Sequence, residues 1–340
     1  MQPTDQITAA SARESAADFR ATFTRIRTEV SRMMVGQGEV IDGVLTALMA
    51  GGHVLLEGVP GLGKTALVHA ISRAVDVPFS RIQFTPDMMP ADIIGTSMLT
   101  EGEGGRHELT FEQGPIVSNL VLADEINRAT PKTQSALLEV MQEKQVTVGR
   151  RTIRMPEPFC VMATQNPIDQ EGTYPLPEAQ LDRFLFKLLV GYPTESEYHA
   201  IIDRTTGGEQ VVVNAVTDGG TLLRMREVAR AIPVPHAARA YAIRLVMGTQ
   251  PGSDYAPDSV TRHVALGASP RGVQALMLAA KVHALLDARF SVSSDDIAAV
   301  SLPALRHRIV TNFHAQAGGV SADALVEEVL LHVQRVYDGD

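Results

Sequence analysis

The chain has 340 residues, 45% of them apolar, a formal charge of −9 and one cysteine. That length suits two domains of about 100–200 residues each with ample core. The acidic balance repels phosphates at long range and argues against a general affinity for nucleic acid, and a lone Cys160 excludes an internal disulfide and reads as a small core residue. No run approaches the ~18 uninterrupted apolar residues of a membrane span; the best stretch, 273–286, is broken by Gln274, Lys281 and His283. The N-terminus lacks a basic region followed by an apolar core, so no secretory signal or membrane insertion is expected and a cytoplasmic location is.

In chain order, Phe19, Phe23, Ile26 and Val30 recur at helical spacing, and Val40, Val44 and Leu48 mark a second helix closed by Gly51-Gly52. His53 to Leu56 is a short buried strand, followed by GVPGLGKT and a helix over 66–75. Apolar runs at 79–84, 120–123, 159–163 and 184–190 read as further strands, with a helix at 130–143 between two of them. Alternating strands and helices imply a parallel sheet covered on both faces. Two segments break the alternation: a glycine-rich insert at about 97–111, and an alternating stretch at about 146–155 that reads as a hairpin with Arg150 and Arg151 at its tip. Beyond about residue 195 the strand signal fades, and 222–231, 237–246, 270–288, 294–310 and 322–336 read as helices of a second domain.

Gly58-Val59-Pro60-Gly61-Leu62-Gly63-Lys64-Thr65 fits G-x-x-x-x-G-K-[ST], with a strand before it and a helix opening at Ala66. Glycines let successive N–H groups turn inward onto phosphates, and the helix N-terminus adds its positive end. Lys64 is expected to reach the β- and γ-phosphates and the Thr65 hydroxyl to ligate Mg²⁺. The run Leu120-Val121-Leu122-Ala123 then stops at two carboxylates, Asp124 and Glu125. P-loop proteins need an acid at a strand end to hold the metal, which suits Asp124. Glu125 is then left to polarise the attacking water. Without a P-loop upstream, the same pair would read as a helix N-cap and a solvated first-turn acid.

These residues, in this order, resemble an AAA+ ATPase, and the MoxR family in particular. The segments that carry the likeness are VGQ at 35–37, GVPGLGKT, ADEINRA at 123–129, ATQNP at 163–167, EGTYPLPEAQLDRF at 171–184, SPRG at 269–272 and LRHRI at 305–309. The resemblance implies a P-loop α/β core over 35–194 after a helical segment at 1–34, and an all-helical lid domain over 195–340. It implies that Val35, Gly36 and Gln37 lie against adenine and that Asn166 orients the water or the γ-phosphate. It further implies that Arg183 is an arginine finger acting on a neighbouring subunit, and that Arg271 is a lid arginine acting in cis or in trans. The insert and the hairpin correspond to pore-facing elements, where Arg150, Arg151 and Arg154 either meet an acidic partner or are simply solvated.

The implied function is MgATP hydrolysis by a homo-oligomeric ring, a hexamer, that remodels a client protein such as a metalloenzyme. A separate von Willebrand factor A domain protein is the implied partner. A magnesium-chelatase-like subunit and a nucleic-acid motor share this layout. A nucleotide-dependent binding module without turnover is the non-enzymatic alternative, against which Glu125, Asn166 and Arg183 together speak.

Overall fold

Short apolar runs ended by a glycine or a charge are too brief for helices, and in this chain they become strands. A computed structural model describes residues 9–101, 107–149, 151–167, 172–206 and 211–338. Two compact units divide it: Glu29–Val44 with Gly51–Gly220, and Met1–Thr28 with Leu45–Ala50 and Thr221–Asp340. Two helices open the chain, α1 (Ala9–Met33) and α2 (Gly38–Ala50), and all seven apolar residues named for them above are buried. Gly51 ends α2 in the left-handed region.

The first unit is built on β1 (Val54–Glu57), α3 (Lys64–Ala74), β2 (Phe79–Gln83), α4 (Pro90–Ile94), β3 (Gly95–Glu101), β4 (His107–Gln113), β5 (Leu120–Asp124), α5 (Pro131–Glu143), β6 (Gln145–Val148), β7 (Arg151–Arg154), β8 (Cys160–Gln165), α6 (Glu178–Leu181), β9 (Phe186–Leu189) and α7 (Glu195–Thr206). Five strands form one sheet in the order β2-β5-β8-β1-β9, and every pairing is parallel. Register aligns Glu57 with Gln165, Ala123 with Ala163 and Gln83 with Asp124, so the carboxyl ends of four strands reach one edge together. Ligands of open α/β sheets bind at that edge. The core beneath holds Leu55, Val121, Val161, Phe84, Leu138 and Phe184. Buried His53 is tied across it: Nδ1 accepts from Val161 N–H, which leaves Nε2–H to donate to the Met141 carbonyl. Cys160 is buried in β8, as its apolar surroundings suggest.

Both irregular segments are antiparallel hairpins. β3 and β4 pair from Gly95–Gln113 to Glu101–His107, and β6 pairs with β7 through a turn at Gly149. Residues 102–106 of the insert and Arg150 of the hairpin lie outside the described residues, while Arg151 and Arg154 are exposed.

The second unit carries α8 (Gly219–Ala231), α9 (His236–Gly248), α10 (Asp258–His263), β10 (Val264–Leu266), α11 (Pro270–Leu286), α12 (Ser294–Ala299), α13 (Ser301–Leu305), β11 (Val310–Thr311), α14 (Phe313–Gly318) and α15 (Ala322–Asp338). The expected single helix over 294–310 is instead two short helices and a strand. Pro303 has no N–H to offer and its ring opposes the carbonyl four residues back, so the chain breaks at Val300. β10 and β11 form a small antiparallel pair that the fading strand signal beyond 195 did not announce. Residues 195–220 group with the sheet rather than with the helical unit, and α1 up to Thr28 groups with the helices. Arg306 of the LRHRI string makes a two-pronged pair with Asp323, Nε to Oδ1 at 3.0 Å and Nη2 to Oδ2 at 2.9 Å, joining the end of α13 to α15.

Candidate nucleotide site

Between β1 and α3 the chain turns through Gly61 (φ 87°) and Gly63 (φ 79°), a backbone region that glycine occupies without strain. Gly63 caps α3 directly, so the first N–H groups of that helix face the loop with no side-chain cap. Lys64 Nζ donates to the carbonyls of Gly58 and, at 3.2 Å, Val59. Burial pulls the Lys64 pKa below the ordinary lysine value, against the opposite pull of Asp124, Glu125 and Glu57.

Asp124 ends β5 almost fully buried. Its Oδ1 accepts from the Thr164 hydroxyl at 2.6 Å, and Oδ2 accepts from Arg81 Nη2 at 2.7 Å and Nε at 3.1 Å. Glu125, next in the chain, adopts a left-handed conformation (φ 57°, ψ 49°) that is uncommon outside glycine. Its N–H donates to Thr164 Oγ at 2.8 Å, so one buried hydroxyl on β8 fixes both carboxylate residues. Glu125 Oε2 meets Arg128 Nε at 3.0 Å and Gln83 Nε2 at 3.0 Å. Arg128, to which the sequence assigned no chemistry, is therefore the salt-bridge partner of Glu125.

Two cavities meet at the loop. One, about 440 Å³, is lined by Pro60, Gly61, Gly63, Lys64, Thr65 and Ala66, by Asp124 and Glu125, and by Arg81, Thr164 and Asn166. The other, about 450 Å³ and more apolar, shares Pro60, Gly61, Gly63 and Ala66 and adds Leu62, Val35, Gln37, Met34, Tyr192, Tyr198 and Ile201. Gln37 Nε2 donates to the Gly191 carbonyl at 3.1 Å, tying the 35–37 segment to the turn after β9. A charged compartment joined to an apolar one fits a phosphate chain joined to a base. Thr65 and Asp124 offer a hydroxyl and a carboxylate to one compartment, the oxygen donors that Mg²⁺ prefers.

Most expected site residues therefore line one of two joined spaces. Gly36, Gly58 and Val59 do not; Gly58 and Val59 hold Lys64 through their carbonyls instead. Asn166 is buried at the end of β8, and its carbonyl accepts from Asn127 Nδ2 at 3.4 Å. Arg183 lines neither cavity: Nη1 donates to the Leu138 carbonyl on α5, and its Nε is buried without a hydrogen-bond partner. Arg271 is exposed in the first turn of α11, in the helical unit, where Ser269 Oγ accepts from its N–H. Sequence reasoning missed Arg81, Gln83 and Thr164, which reach the site through strand register, and Tyr192, Tyr198 and Ile201. Thr164 stood inside the ATQNP string, and that was its only signal.

Comparison with known proteins agrees with this geometry. Residues 53–186 match the family model described as ATPase family associated with various cellular activities (AAA), and residues 258–329 match the AAA lid domain. Sheet, P-loop and acidic strand end define an AAA ATPase with a helical lid. The Chaperone MoxR1 of Mycobacterium tuberculosis is 47% identical over 91% of this chain and 81% of its own length. Protein YeaC of Bacillus subtilis is 42% identical over 93% and 96%, and Protein MoxR of Methylorubrum extorquens 33% over 86% and 88%. A crystal structure of a candidate ATPase from Cytophaga hutchinsonii superposes with a TM-score of 0.88 at 38% identity, covering 96% of this chain and 98% of that one. The chain belongs to the MoxR family of AAA ATPases.

Proposed function

We propose that this ATPase is a ring-forming, cytoplasmic remodelling motor, a hexamer, whose MgATP sites are completed between subunits. The observation that carries the reading is an asymmetry. Lys64, Thr65, Asp124, Glu125 and Asn166 all line one cavity, while Arg183 lies outside its lining. Hydrolysis needs a cation against the γ-phosphate as charge develops, so a second copy is the natural source of Arg183.

In this reading the P-loop N–H groups and Lys64 bind the phosphates, and the apolar space around Val35, Gln37, Tyr192 and Tyr198 takes the base. Thr65 and Asp124 would hold Mg²⁺, which when bound neutralises phosphate charge. Glu125 accepts a proton from the attacking water, Asn166 orients that water, and Arg271 couples the lid to the nucleotide. Its name ties the M. tuberculosis relative to chaperone work. A protein client, a metalloenzyme among the options, and a separate von Willebrand factor A domain partner follow from the family likeness. Among the described residues no helix is long and apolar enough to cross a membrane.

The test is the ATPase rate per protomer against protein concentration in Mg²⁺. A steep rise with concentration is expected. A rate per protomer that is measurable and constant down to monomeric dilution would overturn completion between subunits.

A further inference from the structure

We propose that Arg81 is the resident counter-ion of Asp124, and that Mg²⁺ takes its place on that carboxylate by exchange, so that Arg81 sets how much Mg²⁺ the site requires. This rests on the nucleotide site proposed above. Asp124 is almost buried, where an unpaired carboxylate is costly, so a cation or strong donor must attend it. Both of its oxygens are taken. Thr164 holds Oδ1 from the buried interior of β8 and also bonds Glu125 N–H, so it cannot leave without loosening both acids. Arg81 holds Oδ2 through two N–H groups, and its side chain is 48% exposed.

That exposure decides which partner gives way. A side chain that is half exposed can swing its charged end into water, where hydration offsets the lost bonds, whereas a buried hydroxyl cannot. Gln83 Oε1 accepts from Arg81 Nη2 at 2.6 Å from two residues along the same strand, which fastens the guanidinium in its bidentate pose. Any divalent cation approaching Oδ2 meets this charge in the lining of the phosphate cavity. Oδ2 is thus the exchangeable oxygen and Oδ1 the permanent anchor.

The test is binding of a fluorescent ATP analogue to the full chain, titrated with Mg²⁺ and repeated in EDTA. For Arg81→Gln, the Mg²⁺ concentration giving half of the metal-dependent gain in affinity should fall about tenfold, the scale of one charge-assisted hydrogen bond. Affinity in EDTA should fall by a smaller factor than the Mg²⁺ midpoint does, since Arg81 lines the phosphate cavity but spends its hydrogen bonds on Asp124 and Gln83. Arg81→Lys keeps the charge but loses the two-pronged geometry, so its midpoint should fall between the two. It also serves as the folded comparison if Arg81→Gln melts early by circular dichroism. An unchanged Mg²⁺ midpoint overturns the exchange. An equal loss of affinity with and without Mg²⁺ also overturns it, by making Arg81 a phosphate ligand. Failure of the unaltered chain to bind the analogue at all would instead sink the nucleotide site on which the proposal stands.

Discussion

Two adjacent carboxylates in a continuing strand would point to opposite faces of the sheet. The left-handed backbone at Glu125 breaks that alternation, and both Asp124 and Glu125 line the same cavity. Their roles then separate by surroundings: Asp124 is buried and held on both oxygens, while Glu125 is half-buried and held at its tip by Arg128 and Gln83. Glu125→Gln keeps the shape and the charge-free hydrogen bonds but cannot accept a proton. It should bind ATP with near-native affinity while turnover falls by about 10²–10⁴, read by comparing analogue binding with phosphate release. Turnover within tenfold of the native rate would remove Glu125 from the chemistry. Thr164→Val tests the hydroxyl beneath the pair. It strands a buried carboxylate oxygen and the Glu125 N–H, so stability should drop by about 2 kcal/mol in urea unfolding, with Thr164→Ser recovering most of it.

At the scale of elements, what could be read from the sequence was what lies contiguous in it. GVPGLGKT carries its own turn, its own lysine and its own helix start, and the strand before it needs only four residues. Asp124 and Glu125 stood out because charge abruptly ends an apolar run. Arg81 and Thr164 were hidden because β5 lies between β2 and β8, a neighbour relation made by sheet order and not by spacing. Tyr192 and Tyr198 lie beyond β9, and what brings them to the base-sized cavity is likewise tertiary. Helix breaks were also local and legible in principle: Pro303 was present in the run read as one helix. The helical unit holds a second charge network that no motif announced. Asp296, fully buried at the start of α12, accepts from His283 Nδ1 at 2.7 Å, from Ser293 N–H at 2.8 Å and from both Nη atoms of Arg289. Burial raises its pKa, but the hydrogen bonds from Arg289, Ser293 and His283 outweigh that and leave it below the ordinary carboxylate value. A lowered folded-state pKa means stability that is fully present above the unfolded value and lost as pH falls through the folded one. Thermal melts should therefore show this contribution intact at neutral pH and shrinking below about pH 4. Asp296→Asn should cost about 2 kcal/mol at pH 7 and flatten the acid limb, because the buried hydrogen bonds to Asp296 lose their anion while Arg289 keeps only the exposed carboxylate of Asp287 at 2.9 Å. An acid limb identical to that of the native chain would assign the loss to other carboxylates.

At the scale of the whole molecule, the proposed ring turns on Arg183, which lies outside the lining of its own chain's cavity. Arg183 is held by the α5 carbonyl of Leu138, with a buried Nε left over. An arginine finger works by reaching a neighbouring subunit's nucleotide, and Arg183 lies outside the lining of its own chain's phosphate cavity. Two defective chains should then repair one another. Lys64→Ala loses the phosphate contact but keeps Arg183; Arg183→Ala binds nucleotide but lacks the finger, and alone should lose about 10³–10⁵ in rate. In a ring whose subunits meet head to tail, each contact joins one chain's cavity to the next chain's arginine. Random mixing at equal amounts leaves about a quarter of the sites with an intact Lys64 facing an intact Arg183. Phosphate release from the mixture should rise well above the sum of the separate chains, peak near equal proportions, and vanish on dilution below the assembly concentration. Both variants must bind into the same assemblies, which sedimentation of differently labelled chains reads independently. Mixed assemblies that form yet stay inactive at every ratio would put Arg183 back on its own subunit, where it bonds the Leu138 carbonyl, and the trans reading would fall with them.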